Sequence, residues 1–282
     1  LFKRYCAAGM LVFDECLRLI DELEPDEILL FNGRFATTRA VLRAAQARGI
    51  PWKIHERGGN KNRFWQADCL PHDMVAMQEK ILSQYRPEMA ESGHRFFRLR
   101  RGREEQAWHS FSAQQLEGLL PEAMRGEGEW ATFFTSAEDE MFAIGDSFRN
   151  EYYPTQVGAI EAAARAVATI PGMRLCVRVH PHVAQKSAAD RRKWRELDIP
   201  GALLIGAEEQ IDSYALVDRS KVTLGYGSTI GIEATYWNRP SMCFSPSYYD
   251  RLGVCEMARD DAQVAAFLRE PTVFPQENTL PY

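Results

Sequence analysis

Apolar and polar residues follow two rhythms along this chain, and the switches between them predict its elements. Residues 10–23 place Met10, Phe13, Leu17 and Ile20 three or four apart, with Cys16, Leu19 and Leu23 beside them, which is a helix period. Pro25 ends that helix, and the apolar run at 27–31 predicts a buried strand. Asn32, Gly33 and Arg34 turn the chain into an alanine- and arginine-rich helix over 36–48, stopped by Gly49 and Pro51. Residues 52–55 predict a second strand, followed by Glu56, Arg57, Gly58, Gly59 and Asn60. Strand, helix and strand with short connections imply a parallel pair. Residues 73–103 look helical with a break near Pro87 and end in a run of arginines (Arg95, Arg98, Arg100, Arg101, Arg103). A solvated helix face is the expectation for that run, with an acceptor or membrane contact as the alternative.

Pro121, Gly126 and Gly128 interrupt the pattern, so the expected division is a first domain over 1–125 and a second over 126–282. The second restarts with a strand at 130–135, then Ser136 and the acids Glu138, Asp139 and Glu140. An amphipathic helix follows at 156–170, then a strand at 174–179 that delivers Arg178, His180 and His182. Further strands are predicted at 202–205 and 241–244, with helices at 186–197 and 261–269 and a short one opened by Asp212. Between them, the run from Lys221 to Ala234 reads as strand, glycine turn and helix. Strands alternating with helices in both halves predict an α/β protein of two doubly wound, Rossmann-type domains.

The glycines Gly225, Gly227 and Gly231 make G-x-G-x-x-x-G, one residue off the dinucleotide fingerprint, and no acid ends the next strand. The expectation is therefore a nucleotide-phosphate site, the alternative a plain strand-to-helix turn. Most unusual polar clusters fall just after a strand: Asn32 and Arg34, Glu56, Ser136 to Glu140, Arg178 and His180, Gly227 to Thr229. In an open parallel sheet those ends share one edge, where ligands bind. Each residue also has a structural alternative. Ser136 and Asp139 have capping-box spacing, Glu56 could pair with Arg57, and Arg178 and His180 could sit in a structural ion pair. Asp212 reads as a helix cap, and Glu233 either accepts ribose hydroxyls or faces solvent. His180-x-His182 points only weakly to a metal, because no carboxylate is suitably placed.

Composition narrows the class. A hydrophobic share of 45% with 26% charged residues suits a globular protein with a proper core, and 282 residues suffice for two domains. A formal charge of -5 argues against general nucleic-acid binding. No apolar run reaches membrane-spanning length and no signal peptide is visible. The six cysteines are scattered without zinc spacing, which suggests buried reduced thiols in a cytosolic protein. The chain begins at Leu1 in the lead-in to a helix, so the amino end of the first domain is expected to lie upstream.

Phe133-Phe-Thr-Ser-Ala-Glu-Asp-Glu140, Val177-Arg-Val-His-Pro181, Ile211-Asp-Ser-Tyr-Ala215 and Gly227-Ser-Thr-Ile-Gly-Ile-Glu-Ala234 together resemble the GT-B glycosyltransferases of bacterial capsules and surface polysaccharides. Phe31-Asn-Gly-Arg34 and His55-Glu-Arg-Gly58 extend the likeness into the first half. Among that class the chain is most like the retaining β-Kdo transferases, which use CMP-β-Kdo (Kdo is 3-deoxy-D-manno-oct-2-ulosonic acid). The resemblance implies a GT-B-like fold of two facing domains with parallel sheets, the first short of strands, and a nucleotide held mainly by the second. It implies a cytoplasmic enzyme, at the inner face of the cytoplasmic membrane through partner domains, that needs no metal or other cofactor. It puts Gly227, Arg178, His180, Ser228, Thr229 and Glu233 on the nucleotide, with Asp139 (ahead of Glu140) as nucleophile and Glu56 as acid/base. Asn32, Arg34, Ser136 and Asn60 would meet sugar or acceptor, the acceptor being a surface polysaccharide or its lipid-linked precursor. The alternatives are a GT-B transferase with another nucleotide sugar, or a catalytically silent glycan-binding or scaffold domain of a polysaccharide synthase.

Overall fold

A computed structural model of the chain describes residues 2–58, 63–104, 112–136 and 150–282. They form two compact units, one reaching to Met77 and the other starting at Gln78. In the first, helix α1 (Phe2–Leu23) precedes strand β1 (Ile28–Phe31), helix α2 (Ala36–Arg48), β2 (Trp52–Arg57) and β3 (Phe64–Ala67). α1 starts eight residues before the periodicity of 10–23 suggested. Gly49, at φ 67°, closes α2 by turning its N–H back to the carbonyls of Ala45 and Gln46, a conformation easy only for glycine.

β1 and β2 pair in parallel as expected, and β3 adds antiparallel to β2, with Glu56 opposite Trp65. The four residues of β3 are too short and mixed to show an alternation. Leu30, Leu42 and Ile54 form the core between sheet and helix. The opposite sheet face is open: Leu29 is 57% exposed and Phe31 39%, so β1 is buried on one side rather than both.

The second unit begins inside helix α3 (Met74–Gln84). Buried Gln78 donates to the Ser247 carbonyl (3.1 Å) and Asp250 (2.8 Å) and accepts the Arg251 N–H (2.8 Å). A short 3₁₀ turn at Pro87–Met89 breaks the helical stretch before α4 (Ala90–Arg101). α4 packs on the second unit through Phe97, stacked 4.2 Å from Tyr236. The glycine-rich stretch between residues 118 and 128 lies within that unit too. Arg219 holds the carbonyls of Met124, Gly126 and Gly128 at 2.7, 2.6 and 3.0 Å. Residues that look like a linker are a strap whose carbonyls are taken up by one guanidinium.

The remaining elements alternate: β4 (Glu129–Phe134), α5 (Gln156–Ala168), β5 (Met173–Arg178), α6 (Ala188–Arg195), β6 (Ala202–Ile205), α7 (Ser213–Arg219), β7 (Val222–Gly225), α8 (Ile230–Tyr236), β8 (Ser241–Cys243), β9 (Glu256–Met257) and α9 (Asp261–Arg269). All six strands are parallel, in the order β6-β5-β4-β7-β8-β9. Numbered within the unit this is 3-2-1-4-5-6, the doubly wound order, with its reversal between β4 and β7. Alternate side chains feed two layers, as a period of two requires. Phe133, Val177, Leu224 and Met242 pack with α5 and α9, while Trp130, Phe134, Cys176 and Ile205 pack with α7 and α8. Thr155, Ser187, Asp212 and Asp260 cap the helices that follow them. Cys69, Cys176, Cys243 and Cys255 are buried free thiols, Cys16 is half-buried and Cys6 is exposed.

Gly231, in α8, has no room for a side chain: a β-carbon would lie 2.5 Å from the Tyr249 hydroxyl and 3.1 Å from Ser241 Oγ. Gly231→Ala should cost roughly 1–3 kcal/mol in denaturant unfolding, as overpacking does. Gly126→Ala, with nothing within 4 Å of its added carbon, should be near neutral. Equal stability of the two variants would refute the packing at α8.

Candidate functional site

Where the strand order reverses, the helices that follow β4 and β7, α5 and α8, pack on opposite faces of the sheet, and a crevice is expected at the carboxyl ends. A cavity of about 90 Å³ opens there, lined from β4 by Phe134 and Thr135, from β5 by Arg178 and His180, and from the glycine turn by Ser228 and Thr229. Glu233 and Tyr214 line it from α8 and α7, and Arg100 from α4. A more polar cavity of about 380 Å³ adjoins it, sharing Gln115, Arg178 and Pro181 and adding Gln114, Gln185 and Gln210. Of the second-unit residues expected at the nucleotide, Arg178, His180, Ser228, Thr229 and Glu233 line this cavity, and Gly227 stands in the turn beside it.

Arg178 is the last residue of β5 and is only 2% exposed. Its Nη1 donates to the Gly206 carbonyl at 2.5 Å and its Nη2 to the Glu209 carbonyl at 2.9 Å. The expected ion-pair alternative is thus a clamp on two backbone carbonyls of the β6 loop. Burial pushes the guanidinium down to about 10, so it is still charged at neutral pH. His180 is anchored by its own N–H, which donates to Thr135 Oγ1 at 2.8 Å. Its Nδ1 accepts the His182 N–H at 3.2 Å and caps the turn Pro181–Gln185. That use of Nδ1 assigns the ring proton to Nε2 and leaves the two histidines no shared metal geometry through that atom. Burial first, then the charges of His182, Arg178 and Lys186, push His180 down to about 4, so it is a neutral donor at physiological pH.

Glu233 does not face solvent. Its side chain is 3% exposed, with Oε1 accepting from Arg100 (3.1 Å) and Thr229 Oγ1 (2.9 Å) and Oε2 from the Tyr214 hydroxyl. Gly227 takes φ 66° in the turn, and the Tyr249 hydroxyl holds the Ser228 carbonyl from below. α8 has only seven residues, so the turn and its side chains matter more here than a helix dipole. Asp212 is the expected cap, taking the Tyr214 N–H at 3.0 Å, and it also accepts the Gly118 N–H and pairs with Arg103. Gln156 grips the backbone of Ser136 on both sides, accepting its N–H at 2.6 Å and donating to its carbonyl at 3.3 Å. Asp139 and Glu140, expected just beyond, and Asn60 lie outside the described residues.

In the first unit, Asn32, Arg34 and Glu56 gather at the carboxyl ends of β1 and β2. Asn32 sits at φ 59°, donates through Nδ2 to Glu56, and accepts the Arg34 N–H at 3.1 Å. Glu56 meets Arg57 through the latter's backbone N–H, at 2.8 Å. His72, which the sequence did not flag, lies 3.2 Å from Arg34. Burial and that guanidinium push His72 down to about 4, which makes its Nε2 the acceptor.

Three lining residues also escaped the sequence reading: Arg100, Gln115 and Tyr214. The arginine run is not a solvated face throughout. Arg101 pairs with Asp218 and lies 4.7 Å over the Trp237 ring, Arg103 reaches Asp212 at 3.4 Å, and Arg100 enters the cavity. Nothing in the local pattern marks them, because their partners lie more than a hundred residues on.

No family profile and no curated protein matches the chain. Solved structures do. A Thermosulfurimonas dismutans KpsC structure described as a β-Kdo 2,4 transferase superposes with a TM-score of 0.58 at 14% identity, over 87% of this chain and 75% of that one. A second KpsC structure from the same organism, a β-Kdo 2,7 transferase, gives 0.54 at 13%, over 95% and 79%. The chain has the GT-B fold. At such identity the likeness speaks for the fold, and in that fold the reversal of strand order in the second unit is where the cavity opens.

The shift at His180 has a measurable sign. An unfolded imidazole takes its proton near pH 6.5, whereas folded His180 resists to about 4. Its stabilising share is therefore present above pH 6.5 and lost as pH falls toward 4. His180→Gln should give a shallower fall of thermal stability across that window, with the share of His72 remaining. An unchanged slope would show that His180 titrates normally.

Proposed function

We propose that the chain is a glycosyltransferase that moves Kdo from CMP-β-Kdo, with retention, onto a bacterial surface polysaccharide or its lipid-linked precursor. What carries the reading is the convergence of Arg178, His180, Ser228 and Thr229 on one cavity at the switch point of a doubly wound sheet. The two β-Kdo transferases that share the fold support the choice of donor.

In this reading the Nε2–H of His180, the hydroxyls of Ser228 and Thr229 and the Gly227 turn receive the donor phosphate. Arg178 adds positive potential, and Glu233 accepts from the ribose. The glutamine amides of the adjoining cavity suit a nucleoside, since each can both donate and accept. The Asp139 carboxylate attacks the anomeric carbon while the bond to the phosphate oxygen breaks and CMP leaves with the electron pair. The acceptor hydroxyl then displaces Asp139 and surrenders its proton to Glu56, which Asn32 orients. Asn32, Arg34, Ser136 and Asn60 bind sugar and acceptor, Arg34 offering its fork to the Kdo carboxylate. Fixed donors stabilise the departing phosphate and take the part a metal plays elsewhere. Among the described residues no helix is long and apolar enough to cross a membrane. We place the enzyme in the cytoplasm, at the inner membrane face through partners.

Calorimetry with CMP, UMP and GMP tests the donor, and preference for the purine would remove the Kdo reading. With CMP-Kdo and a surface-glycan acceptor, Asp139→Ala and Glu56→Gln should each slow turnover by roughly 10²–10⁴-fold. EDTA should leave turnover unchanged. Glycan binding with no transfer or donor hydrolysis by the parent chain would favour a silent scaffold instead.

A further inference from the structure

The donor phosphate needs a cation, and the arginine that sequence spacing nominates is walled in, only 2% exposed. Both Nη atoms of Arg178 hold carbonyls of the β6 loop, and although its buried Nε makes no hydrogen bond among the described residues, turning the fork toward a ligand would take those donors from Gly206 and Glu209. His180 is neutral. We propose that Arg100, from α4, is the guanidinium that grips the phosphate, a role that rests on reading the cavity as a nucleotide site.

Arg100 lines the same cavity as Thr229 and Ser228. Its side chain is 28% exposed, enough to meet a ligand, whereas Arg178 is almost fully enclosed. Its Nη2 lies 3.1 Å from Glu233 Oε1 and 3.4 Å from Thr229 Oγ1, so the tip stands beside the glycine turn. Glu233 restrains that tip while leaving the site a guanidinium rather than a bare charge. A planar fork can hold a carboxylate through one nitrogen and an incoming anion through another. The helix beneath is held as well. Phe97 stacks on Tyr236, Arg101 lies over Trp237 and pairs with Asp218, and Arg103 reaches Asp212. Arg100 is therefore positioned before the ligand arrives, and little ordering is left for binding to impose.

Matched pairs test this on the full chain: CMP against cytidine, and GMP against guanosine, by calorimetry. The parent should favour each nucleotide over its nucleoside. Arg100→Gln should weaken nucleotide binding by roughly 10- to 100-fold, in line with a lost charge-assisted hydrogen bond, and leave the nucleoside unchanged. Arg100→Lys should keep part of the increment. The double variant Arg100→Gln/Glu233→Gln relieves the stranded carboxylate, so its thermal stability should recover while the phosphate increment stays lost. Full nucleotide affinity in Arg100→Gln, or an increment regained in the double variant, would overturn the proposal and leave the transferase reading standing. An Arg100-dependent increment seen only with the purine pair would support Arg100 and remove CMP. A parent that gains nothing from phosphate in either pair would overturn both.

Discussion

Everything in the second unit follows from one topological constraint: six parallel strands end on one edge, and their order reverses between β4 and β7. The helices after β4 and β7 lie on opposite faces, and at that point the described residues leave a polar hollow in an otherwise apolar body. A buried polar group without a partner costs about 1–3 kcal/mol, so the walls of such a hollow have to satisfy one another. They do so in pairs both near and far in sequence. Gln156 holds both sides of the Ser136 peptide, Thr135 holds the His180 N–H, and Tyr214, Thr229 and Arg100 share Glu233. Those pairs satisfy much of the wall, while Ser136 Oγ and Arg178 Nε stay buried without a hydrogen bond among the described residues.

Part of the lining is a fixed dipole rather than a charge. His180 could have been a cation, but burial, with Arg178 and Lys186 near, holds it neutral, with Nδ1 spent on the turn and Nε2 carrying the proton. A neutral N–H can donate to a phosphate oxygen without the desolvation cost that an imidazolium carries in so enclosed a place. The first unit repeats the device at smaller scale, where burial, with Arg34 beside it, keeps His72 neutral and leaves its Nε2 to accept.

How much of this could be read from residues alone depended on how local the cause was. Strands β1, β2, β4, β5, β6, β7 and β8 showed as apolar runs closed by glycine, proline or polar turns, and the polar residues at their ends were found where such sheets bind ligands. α2 was legible to the residue because Gly49 and Pro51 stop it by local chemistry. The strap between residues 118 and 128 was not. Prolines and glycines look alike in a linker and in a loop pinned by Arg219, and only the distant guanidinium tells them apart. The arginine run misled for the same reason. Charge density predicts solvent, and the acids that draw Arg101 and Arg103 inward are Asp218 and Asp212. Glu233 was placed in the right region, but its burial depended on Tyr214 and Arg100, which no spacing rule connects to it.

The network around Glu233 is a poor way to stabilise a protein. Withdrawing a carboxylate from water costs several kcal/mol, and apolar residues of equal volume in such places are often as stable or more so. Apolar residues are common on the face that packs against α8, where Trp130, Phe134, Cys176 and Ile205 lie. Stability therefore gives no reason to put an ionised pair under the glycine turn. What the pair does supply, and apolar packing cannot, is a guanidinium kept charged, restrained and close to the surface of a cavity at the carboxyl edge. An arginine left loose on a solvated helix would have the same charge but would have to be ordered each time an anion bound. The buried carboxylate is best understood as the fixture that holds Arg100 in place.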